Sequence, residues 1–298
     1  MRILISGASG LIGRALTERQ RAAGDTVRIL VRRKPKESEG EIAWDPEAGV
    51  LDLSHLDGVD AVVHLAGKPI DSRWTEATKQ AILGSRVKGT SMLAQAAARL
   101  PTRPKVFICA SAVGFYGSRG DELLDETSAP GQGFLADVCR QWEEAAAPAR
   151  DAGIRTIHLR SGIVLSRQGG MLARVLLPFK MGAGAVVGTG EQWTSWISLA
   201  DATAAIQHVI ASAKLSGPVN LTAPQPVPNA EFTRTLGKML GRPTLFPFPA
   251  LAVKLLFGEM GEELLLASQK VLPKKLLASG FHFAHSDLES ALRWALAN

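Results

Sequence analysis

Residues 7–13 read GASGLIG, directly after the apolar run RILIS at residues 2–6 and before a segment with helical periodicity. Gly7, Gly10 and Gly13 form the pattern G-x-x-G-x-x-G. Glycines at such a turn allow a tight bend and let the backbone approach a pyrophosphate at the helix N-terminus. Because a strand precedes and a helix and second strand follow at the expected distance, the pattern predicts a dinucleotide site; a plain strand-to-helix turn is the alternative. The candidate contacts are Gly7, Ser9, Gly10, Leu11, Ile12 and Gly13.

Outward from this turn, short apolar runs alternate with longer segments of helical period. The predicted strands are 2–7, 26–32, 61–67, 105–111 and 155–161. The helical segments lie around 11–23, 85–99 and 134–147. This alternation predicts an α/β fold, a doubly wound parallel sheet of the Rossmann type with helices on both faces.

Beyond residue 165 the pattern changes to Gly- and Pro-rich stretches, KMGAGAVVGTG and APQPVPNAEF, between helix candidates at 199–213, 229–240 and 286–297. We therefore predict a Rossmann domain over residues 1–165, to which 199–222 return, and a smaller C-terminal substrate lobe mainly over 166–298. Open sheets bind ligands outside the carboxyl ends of their strands, so a lobe there would cover a cofactor and supply the substrate pocket.

Composition narrows the class of protein. Cys109 and Cys139 lie in separate apolar segments and form no CxxC motif, which favours a reducing compartment. No charged leader with an apolar core opens the sequence, and no apolar run reaches the roughly 20 residues of a membrane span, so we expect a cytoplasmic protein without membrane contact. The net charge of +6 comes from dispersed Lys and Arg without interleaved aromatics, so a nucleotide cofactor explains it better than nucleic acid does.

The end of the second strand distinguishes NADP from NAD. An NAD site requires an acidic residue for the ribose 2′-hydroxyl, whereas an NADP site requires cations for the 2′-phosphate. This chain has Arg32, Arg33 and Lys34 there. Since arginine binds phosphate with two parallel hydrogen bonds, we predict that Arg32 and Arg33 contact the 2′-phosphate of NADP; a solvated basic loop is the alternative.

Several motifs resemble those of the extended short-chain dehydrogenase/reductases: GASGLIG, HLAG at 64–67 and SAVGFYG at 111–117. The segments ILGSRVKGT, WEEAA, LRSGIVLS, WTSWISLAD, NAEF and VLPKKLLASGFHF resemble more narrowly an epimerase-like branch labelled as division-inhibitor or sugar-epimerase relatives. The resemblance covers almost the whole chain and implies the Rossmann fold and an NADP cofactor.

The resemblance also implies further cofactor contacts. The end of the third strand and the segment after the fifth would approach the dinucleotide with their backbones. These residues are Leu65, Ala66, Gly67, Ser161, Gly162, Ile163 and Val164. His64, just before this group, is interpreted as a buried, hydrogen-bonded histidine rather than a base.

The catalytic pair of the wider family is a tyrosine and, four residues later on one helix, a lysine that lowers the tyrosine pKa. The chain has one tyrosine, Tyr116, and Gly120 stands four positions on. On the helix that should carry the pair, the two positions hold Phe134 and Val138 or, in the other register, Leu135 and Cys139. The pair is therefore missing, and Cys139, on an apolar helical stripe, is interpreted as core rather than nucleophile.

Two hydroxyls remain as candidates for proton transfer. Ser111 ends the fourth strand where the family keeps a catalytic Ser or Thr, although alignment on YG places Ala112 there. Tyr116 follows in the next loop. Its predicted role is either that of a general acid or that of a ring packed beside the cofactor. Of the acidic pairs Asp121/Glu122 and Asp125/Glu126, which are more simply solvated, Glu126 is the outside candidate for a base.

Two functions follow from these residues. The first is an NADP-dependent oxidoreductase or epimerase of a nucleotide sugar or another small carbonyl or hydroxyl compound, with unconventional proton-transfer groups. The second is a catalytically silent NADP(H)-binding redox sensor. We expect a monomer or homodimer, and no metal site, because His282 and His285 are neighbours without a third ligand.

Overall fold

The computed structural model describes all 298 residues, and its helices and strands alternate along the first half of the chain. The strands are β1 (Arg2–Ser6), β2 (Thr26–Val31), β3 (Glu41–Asp45), β4 (Val50–Leu51), β5 (Ala61–His64), β6 (Val106–Ala112), β7 (Leu123–Leu124), β8 (Arg155–Ser161), β9 (Ile163–Leu165), β10 (Ala185–Val187), β11 (Trp193–Thr194), β12 (Trp196–Ser198), β13 (Gly217–Leu221), β14 (Val227–Pro228), β15 (Phe246–Phe248) and β16 (Lys270–Val271). The helices are α1 (Leu11–Ala22), α2 (Glu76–Arg99), α3 (Phe134–Glu144), α4 (Ala147–Asp151), α5 (Gly170–Lys180), α6 (Leu199–Ala211), α7 (Asn229–Met239), α8 (Ala250–Phe257), α9 (Glu259–Gly261), α10 (Lys274–Ala278) and α11 (Leu288–Ala297). A π-helical turn spans Glu262–Leu266.

The main sheet has eight strands in the order β13-β8-β6-β5-β1-β2-β3-β4. All neighbours are parallel except β3 and β4, a short antiparallel pair at one edge. Strand order reverses between β1 and β5, which is where doubly wound sheets bind their ligands. The predicted fold class is confirmed.

Side-chain alternation along the strands fills both faces of the sheet. In β1, Ile3 and Ile5 join a core that also contains α1 and α6, whereas Leu4 joins a second core beneath α2 and α4. Because both faces are covered, the central strands are almost continuously apolar.

A third core lies between α5, α7 and α11, with Leu172, Phe232 and Leu292 among its members. The chain between α5 and α7 returns to the main sheet, where β13 pairs with β8 and α6 packs on α1. The segment after α10 also returns, since Phe281 belongs to the first core. The division of the chain at residue 165 stays a prediction.

Polar side chains are aligned at the carboxyl edge of the sheet. Ser111 in β6 and Asn220 in β13 are both register partners of Arg160 in β8. Three polar residues on adjacent strands thus lie side by side at the edge where the site is expected. Separately, none of the helices is both long and apolar enough to cross a membrane.

Candidate functional site

The glycine turn between β1 and α1 is packed so tightly that two of its glycines are required by the fold. Gly7 has a φ of 72°, and a Cβ there would lie 2.7 Å from the carbonyl carbon of Leu65. A Cβ on Gly13 would lie 2.2 Å from the Gly7 carbonyl oxygen. These glycines therefore let the turn pack against itself and against the end of β5.

Gly10 is surrounded by fewer protein atoms than Gly7 and Gly13 are. Its φ is −75°, and a Cβ there would meet only the Gly7 carbonyl oxygen, at 3.3 Å. Gly10 is also the N-cap of α1, where no side chain caps the helix and no acidic residue occupies the first turn. The uncapped N–H groups and the exposed glycine fit a bound pyrophosphate, because they leave donors and space for its oxygens.

The two arginines after β2 differ in the structure. Arg33 donates to both carboxylate oxygens of Glu41 in β3, and the hydrogen bonds from Arg33 hold the pKa of Glu41 below its ordinary value. Arg32 is exposed and forms no ion pair or hydrogen bond through its side chain. Arg32 is thus free for a 2′-phosphate, whereas Arg33 is already engaged; both contacts stay predictions.

The backbone after β5 lies beside the glycine turn. The Leu65 N–H donates to the Ser6 carbonyl at 3.1 Å, so Leu65 and Ala66 continue the edge of β5 next to Gly7. His64 is fully buried, its Nδ1 is hydrogen-bonded to the Ser6 hydroxyl, and burial lowers its pKa to about 3. This geometry agrees with the interpretation of His64 as a core residue.

The segment after β8 turns away from the main sheet with most of its backbone engaged. A Cβ on Gly162 would lie 2.5 Å from the Ser195 carbonyl oxygen. The N–H groups of Gly162 and Ile163 donate to Leu221 and Ser195, and β9, with Ile163 and Val164, pairs with β12. Ser161 to Val164 remain partly exposed at the predicted place, and their cofactor contacts stay predictions.

The contacts of α3 show which of its two candidate pairs, Phe134 with Val138 or Leu135 with Cys139, faces the end of β6. Phe134 packs on the ring of Trp74 with centroids 4.9 Å apart. A Cβ on Gly114, just after β6, would instead lie 3.2 Å from Leu135 Cβ and 4.0 Å from Cys139 Sγ. Leu135 and Cys139 thus occupy the positions facing the end of β6, and burial raises the pKa of the Cys139 thiol to about 11. A neutral, buried thiol is core, not nucleophile.

Ser111 belongs to a buried ion-pair network. Its hydroxyl donates to Glu143 Oε1 at 2.7 Å. Arg160 donates to the two carboxylate oxygens of Glu143, from Nε at 2.8 Å and from Nη2 at 2.9 Å. Although burial lowers the pKa of Arg160, Glu143 raises it above its ordinary value overall. Ser111 therefore has an internal partner for its proton.

Tyr116 closes the same network. It is fully buried, and its hydroxyl donates to Asn220 Oδ1 at 2.7 Å and accepts from Arg160 Nη1 at 3.1 Å. The guanidinium of Arg160 also lies over the Phe115 ring, 3.4 Å from its centroid. Burial raises the pKa of Tyr116, so its phenol stays protonated. Of the two predicted roles for Tyr116, this geometry favours packing over proton exchange.

The predicted acidic loop contacts β13 of the main sheet and the start of α10. Glu126 is buried, and its Oε1 accepts from the backbone N–H groups of Asn220 and Lys275. Asp125 pairs with Lys274, and the hydrogen bond from Lys274 lowers the pKa of Asp125 to about 2. These contacts favour a structural role for both carboxylates; Glu126 as a base stays a prediction.

A polar cavity of about 590 Å³ opens beside Gly114 and Leu135. Only two of its thirteen lining residues are hydrophobic, and Arg119, Gln132 and Gln269 are among the polar ones. Cavities of this size hold small-molecule ligands, and the amide groups of Gln132 and Gln269 can bind hydroxyl or phosphate oxygens. Arg119 is already engaged, because it donates to both carboxylate oxygens of Glu122.

Glu263, in the π-helical turn, places a carboxylate in this cavity. Its two oxygens accept from the N–H groups of Phe134, at 2.7 Å, and Leu135, at 2.8 Å, so the side chain caps the N-terminus of α3. A Cβ on Gly133 would collide with it. Sequence reasoning missed Glu263, because nothing local links the segment 259–266 to a helix more than a hundred residues earlier.

The open α1 N-terminus and the parallel sheet, with a polar cavity at its carboxyl edge, define a Rossmann-type dinucleotide-binding protein. The chain belongs to the NAD dependent epimerase/dehydratase family, whose profile matches residues 3–221. Residues 248–295 match a domain of unknown function, and the π-helical turn with Glu263 lies within this match.

Three similar proteins extend the comparison. The epimerase family protein Mb2239 of Mycobacterium bovis is 47% identical over 98% of this chain and 97% of its own length. The crystal structure of human epimerase family protein SDR39U1 with NADPH has a TM-score of 0.91 and 34% identity, with full coverage of both chains. A nucleoside-diphosphate sugar epimerase structure from Corynebacterium glutamicum has a TM-score of 0.83 and 39% identity over 99% of this chain, which spans 58% of that protein.

Proposed function

We propose that this protein binds NADP(H) and transfers hydride to or from a small polar substrate of the nucleotide-sugar type. The observation that carries the proposal is the polar cavity beside Gly114 and Leu135, at the same sheet edge as the uncapped N-terminus of α1. The human relative solved with NADPH supports the cofactor, and the C. glutamicum protein named as a nucleoside-diphosphate sugar epimerase supports the substrate class.

The chain's own residues supply binding and orientation. The N–H groups at the start of α1 hold the diphosphate, with Gly10 leaving space for it, and Arg32 binds the 2′-phosphate. Leu65 to Gly67 and Ser161 to Val164 approach the dinucleotide with their backbones, the second segment at its nicotinamide end. The bound cofactor supplies or accepts the hydride, so the protein must place the substrate and exchange one proton.

Glu263 is the carboxylate best placed to exchange that proton. It lines the cavity and is oriented by the N–H groups of Phe134 and Leu135. Glu262 also lines the cavity but pairs with Lys254, and Glu126 is buried beneath Asn220. General acid/base help contributes about 10²–10⁴ in rate, and its efficiency depends on a group within reach of the substrate. With Leu135 and Cys139 in place of a Tyr–Lys pair, turnover of ordinary nucleotide sugars should be slow.

The test measures cofactor affinity first and hydride transfer second. NADPH and NADH are titrated by the change in nicotinamide fluorescence, and we expect tighter binding of NADPH. NADPH deuterated at C4 is then incubated with keto forms of nucleotide sugars, which can accept hydride, and NADP⁺ with nucleotide sugars deuterated at the carbinol carbon, which can donate it; transfer of the label is followed by mass spectrometry. Slow transfer is the expected result; brisk epimerisation of a UDP-sugar would contradict impaired chemistry, and no NADPH binding would reject the proposal as a whole.

A catalytically silent NADP(H) sensor is the second candidate. The observation that favours it is the engagement of both predicted hydroxyls, since Ser111 donates to Glu143 and Tyr116 to Asn220. Tight NADPH binding with no label transfer to any sugar, even over many hours, would favour the sensor. The predictions of a cytoplasmic location and of a monomer or homodimer stay predictions.

A further inference from the structure

Arg86, on α2, is a partly buried cation without an acidic partner. Its Nη1 donates to two backbone carbonyls, those of Lys68 at 3.1 Å and Ile82 at 3.0 Å. Its Nε and Nη2 donate no hydrogen bond within the protein, and no carboxylate contributes to its pKa. The side chain is only half-buried and these donors are not sealed from solvent, so an anion or a hydroxyl of a bound ligand can reach them, and the partly desolvated surroundings strengthen such a contact.

The surroundings of Arg86 hold the guanidinium in a defined place. It lies over the ring of Trp142, 4.8 Å from the centroid, a stacking that orients the plane of the group. A Cβ on Gly67 would lie 3.3 Å from Arg86 Cζ and 3.5 Å from Nη2, so the glycine makes room for the side chain. Burial lowers the pKa of Arg86, and the Cys139 thiol is the one titratable neighbour that acts on it.

Both neighbours locate Arg86 in the site. Gly67 follows Leu65, whose backbone touches the Gly7 turn where the diphosphate is proposed to lie. Cys139 faces the end of β6, on the side of the cavity. The guanidinium thus lies between the diphosphate turn and the substrate cavity, along the path that the nicotinamide half of a dinucleotide must follow.

We propose that Arg86 binds the nicotinamide-side half of NADP(H) with its free N–H groups, which face either the diphosphate oxygens or the hydroxyls of the second ribose. This inference rests on the proposed NADP(H) binding and adds the residue that orients the reacting end of the cofactor. Arg86 is a positioning residue, and it supplies the fixed positive charge that α3, with Cys139, does not provide.

The experiment compares NADPH with adenosine 2′,5′-bisphosphate, which keeps the 2′-phosphate half and lacks the diphosphate and second ribose. Arg86→Gln should raise the Kd of NADPH about tenfold or more, since a charged hydrogen bond is lost, and leave that of the bisphosphate unchanged. Adding 2′-phospho-ADP-ribose shows whether the contact needs the nicotinamide ring. Arg99→Gln, an exposed change of equal charge at the other end of α2, is the matched control and should alter neither.

Unchanged NADPH affinity in Arg86→Gln, or equal weakening of both ligands, would overturn the inference. If Arg86→Gln does not fold, the wild-type protein is treated with phenylglyoxal and the modified arginines are quantified by mass spectrometry. NADPH should protect Arg86 and the bisphosphate should not, with Arg99 modified throughout; modification of Arg86 unaffected by NADPH also overturns it. Wild-type protein that binds no NADPH would instead reject the proposed function.

Discussion

At the residue scale, Arg160 explains why polar side chains can lie at the centre of the sheet edge. Both Arg160 and its partner Glu143 are nearly inaccessible to water, with side-chain exposures of 5% and 12%. A buried ion pair of this kind is tolerated only when the remaining donors and acceptors are also satisfied. Ser111 and Tyr116 supply those hydrogen bonds, which is a physical reason for their positions that does not involve catalysis.

Removal of the Tyr116 hydroxyl tests this explanation. In Tyr116→Phe, Asn220 Oδ1 and Arg160 Nη1 each lose a buried partner, and we expect the free energy of unfolding to fall by about 1–3 kcal/mol. Urea denaturation measures the loss. Ser111→Ala is the comparison, with a smaller expected loss of about 1 kcal/mol, because Arg160 still satisfies Glu143. A Tyr116→Phe protein as stable as wild type but without hydride transfer would restore the proton-exchange role.

Substitutions of Arg32 and Arg33 should have different effects on NADPH affinity and on stability. Arg32→Ala is expected to weaken NADPH about tenfold or more and to leave NADH unchanged, because only NADPH carries the 2′-phosphate. Arg33→Ala should act mainly on stability, since Glu41 loses its partner and its pKa rises toward the ordinary value. Fluorescence titration of both nucleotides and a thermal melt report the two effects. Retained NADPH preference in the double variant would show that neither arginine reads the phosphate.

Residues that act through distant contacts were outside the reach of sequence reasoning. The glycines, Arg32 and the empty Tyr–Lys positions were visible because each belongs to a local pattern. Glu263 carries no local signal, and Arg86 lies within the motif ILGSRVKGT, which by itself assigns it no role; both roles come from where α2 and the π-helical turn meet α3. The same limit applies to Tyr116, whose partner Asn220 is separated from it by 104 positions.

At the element scale, the β1–α1 turn needs glycine for two reasons: space for the diphosphate at Gly10 and backbone packing at Gly13. Substitutions at the two positions can distinguish these reasons. Gly10→Val should fold and lose NADPH affinity, because a side chain at Gly10 meets little of the protein but blocks the diphosphate position. Gly13→Val should lower the free energy of unfolding by at least about 3 kcal/mol, since its Cβ collides with the backbone. Melting curves and NADPH titrations of both variants check this. Wild-type NADPH affinity in Gly10→Val would remove the diphosphate assignment.

The cap that Glu263 provides to α3 is a second element-scale test. Glu263→Gln keeps one oxygen for capping, so the expected loss of stability is modest, about 0.5–2 kcal/mol, with NADPH binding unchanged. Any hydride transfer should be lost, because an amide cannot accept the proton. Glu259→Gln, which changes an exposed carboxylate that pairs with Lys79 and does not line the cavity, is the control. Label transfer that survives Glu263→Gln would move the proton path elsewhere, for example to Glu126.

Element boundaries show how far local patterns reach. The five predicted parallel strands are present within a few residues of their predicted ends, because each is an apolar run bounded by turns. Helix α2 begins at Glu76, well before the predicted 85, since Thr75 Oγ1 accepts from the Thr78 N–H and caps the helix there. β3 was not predicted; its segment EIAWD is mixed in polarity and becomes a strand by pairing with β2.

At the scale of the whole molecule, the alternation predicted the α/β class, and residues 199–222 were expected to return to the Rossmann domain, but no strand was predicted within them. β13 was missed because GPVNL is short and opens with Gly-Pro, and its place depends on the free edge of β8. The polar cavity depends on three distant segments, the loop after β6, the start of α3 and the π-helical turn. Such a site is visible only when the segments are assembled.

The free energy of unfolding should depend on pH, because the buried core of the protein contains the neutral histidine His64. Burial lowers the pKa of His64 to about 3, and its Nε2 has no hydrogen-bond partner. The unfolded chain binds a proton below about 6.5 and the folded protein does not, so stability is full above that pH and declines as the pH falls toward 3. From pH 7 to 5 the loss from His64 should be about 2 kcal/mol in the free energy of unfolding. Urea denaturation at both pH values measures it. His64→Gln should flatten this dependence, whereas His282→Gln, at an exposed histidine, should not; an unchanged slope in His64→Gln would exclude His64 as the cause.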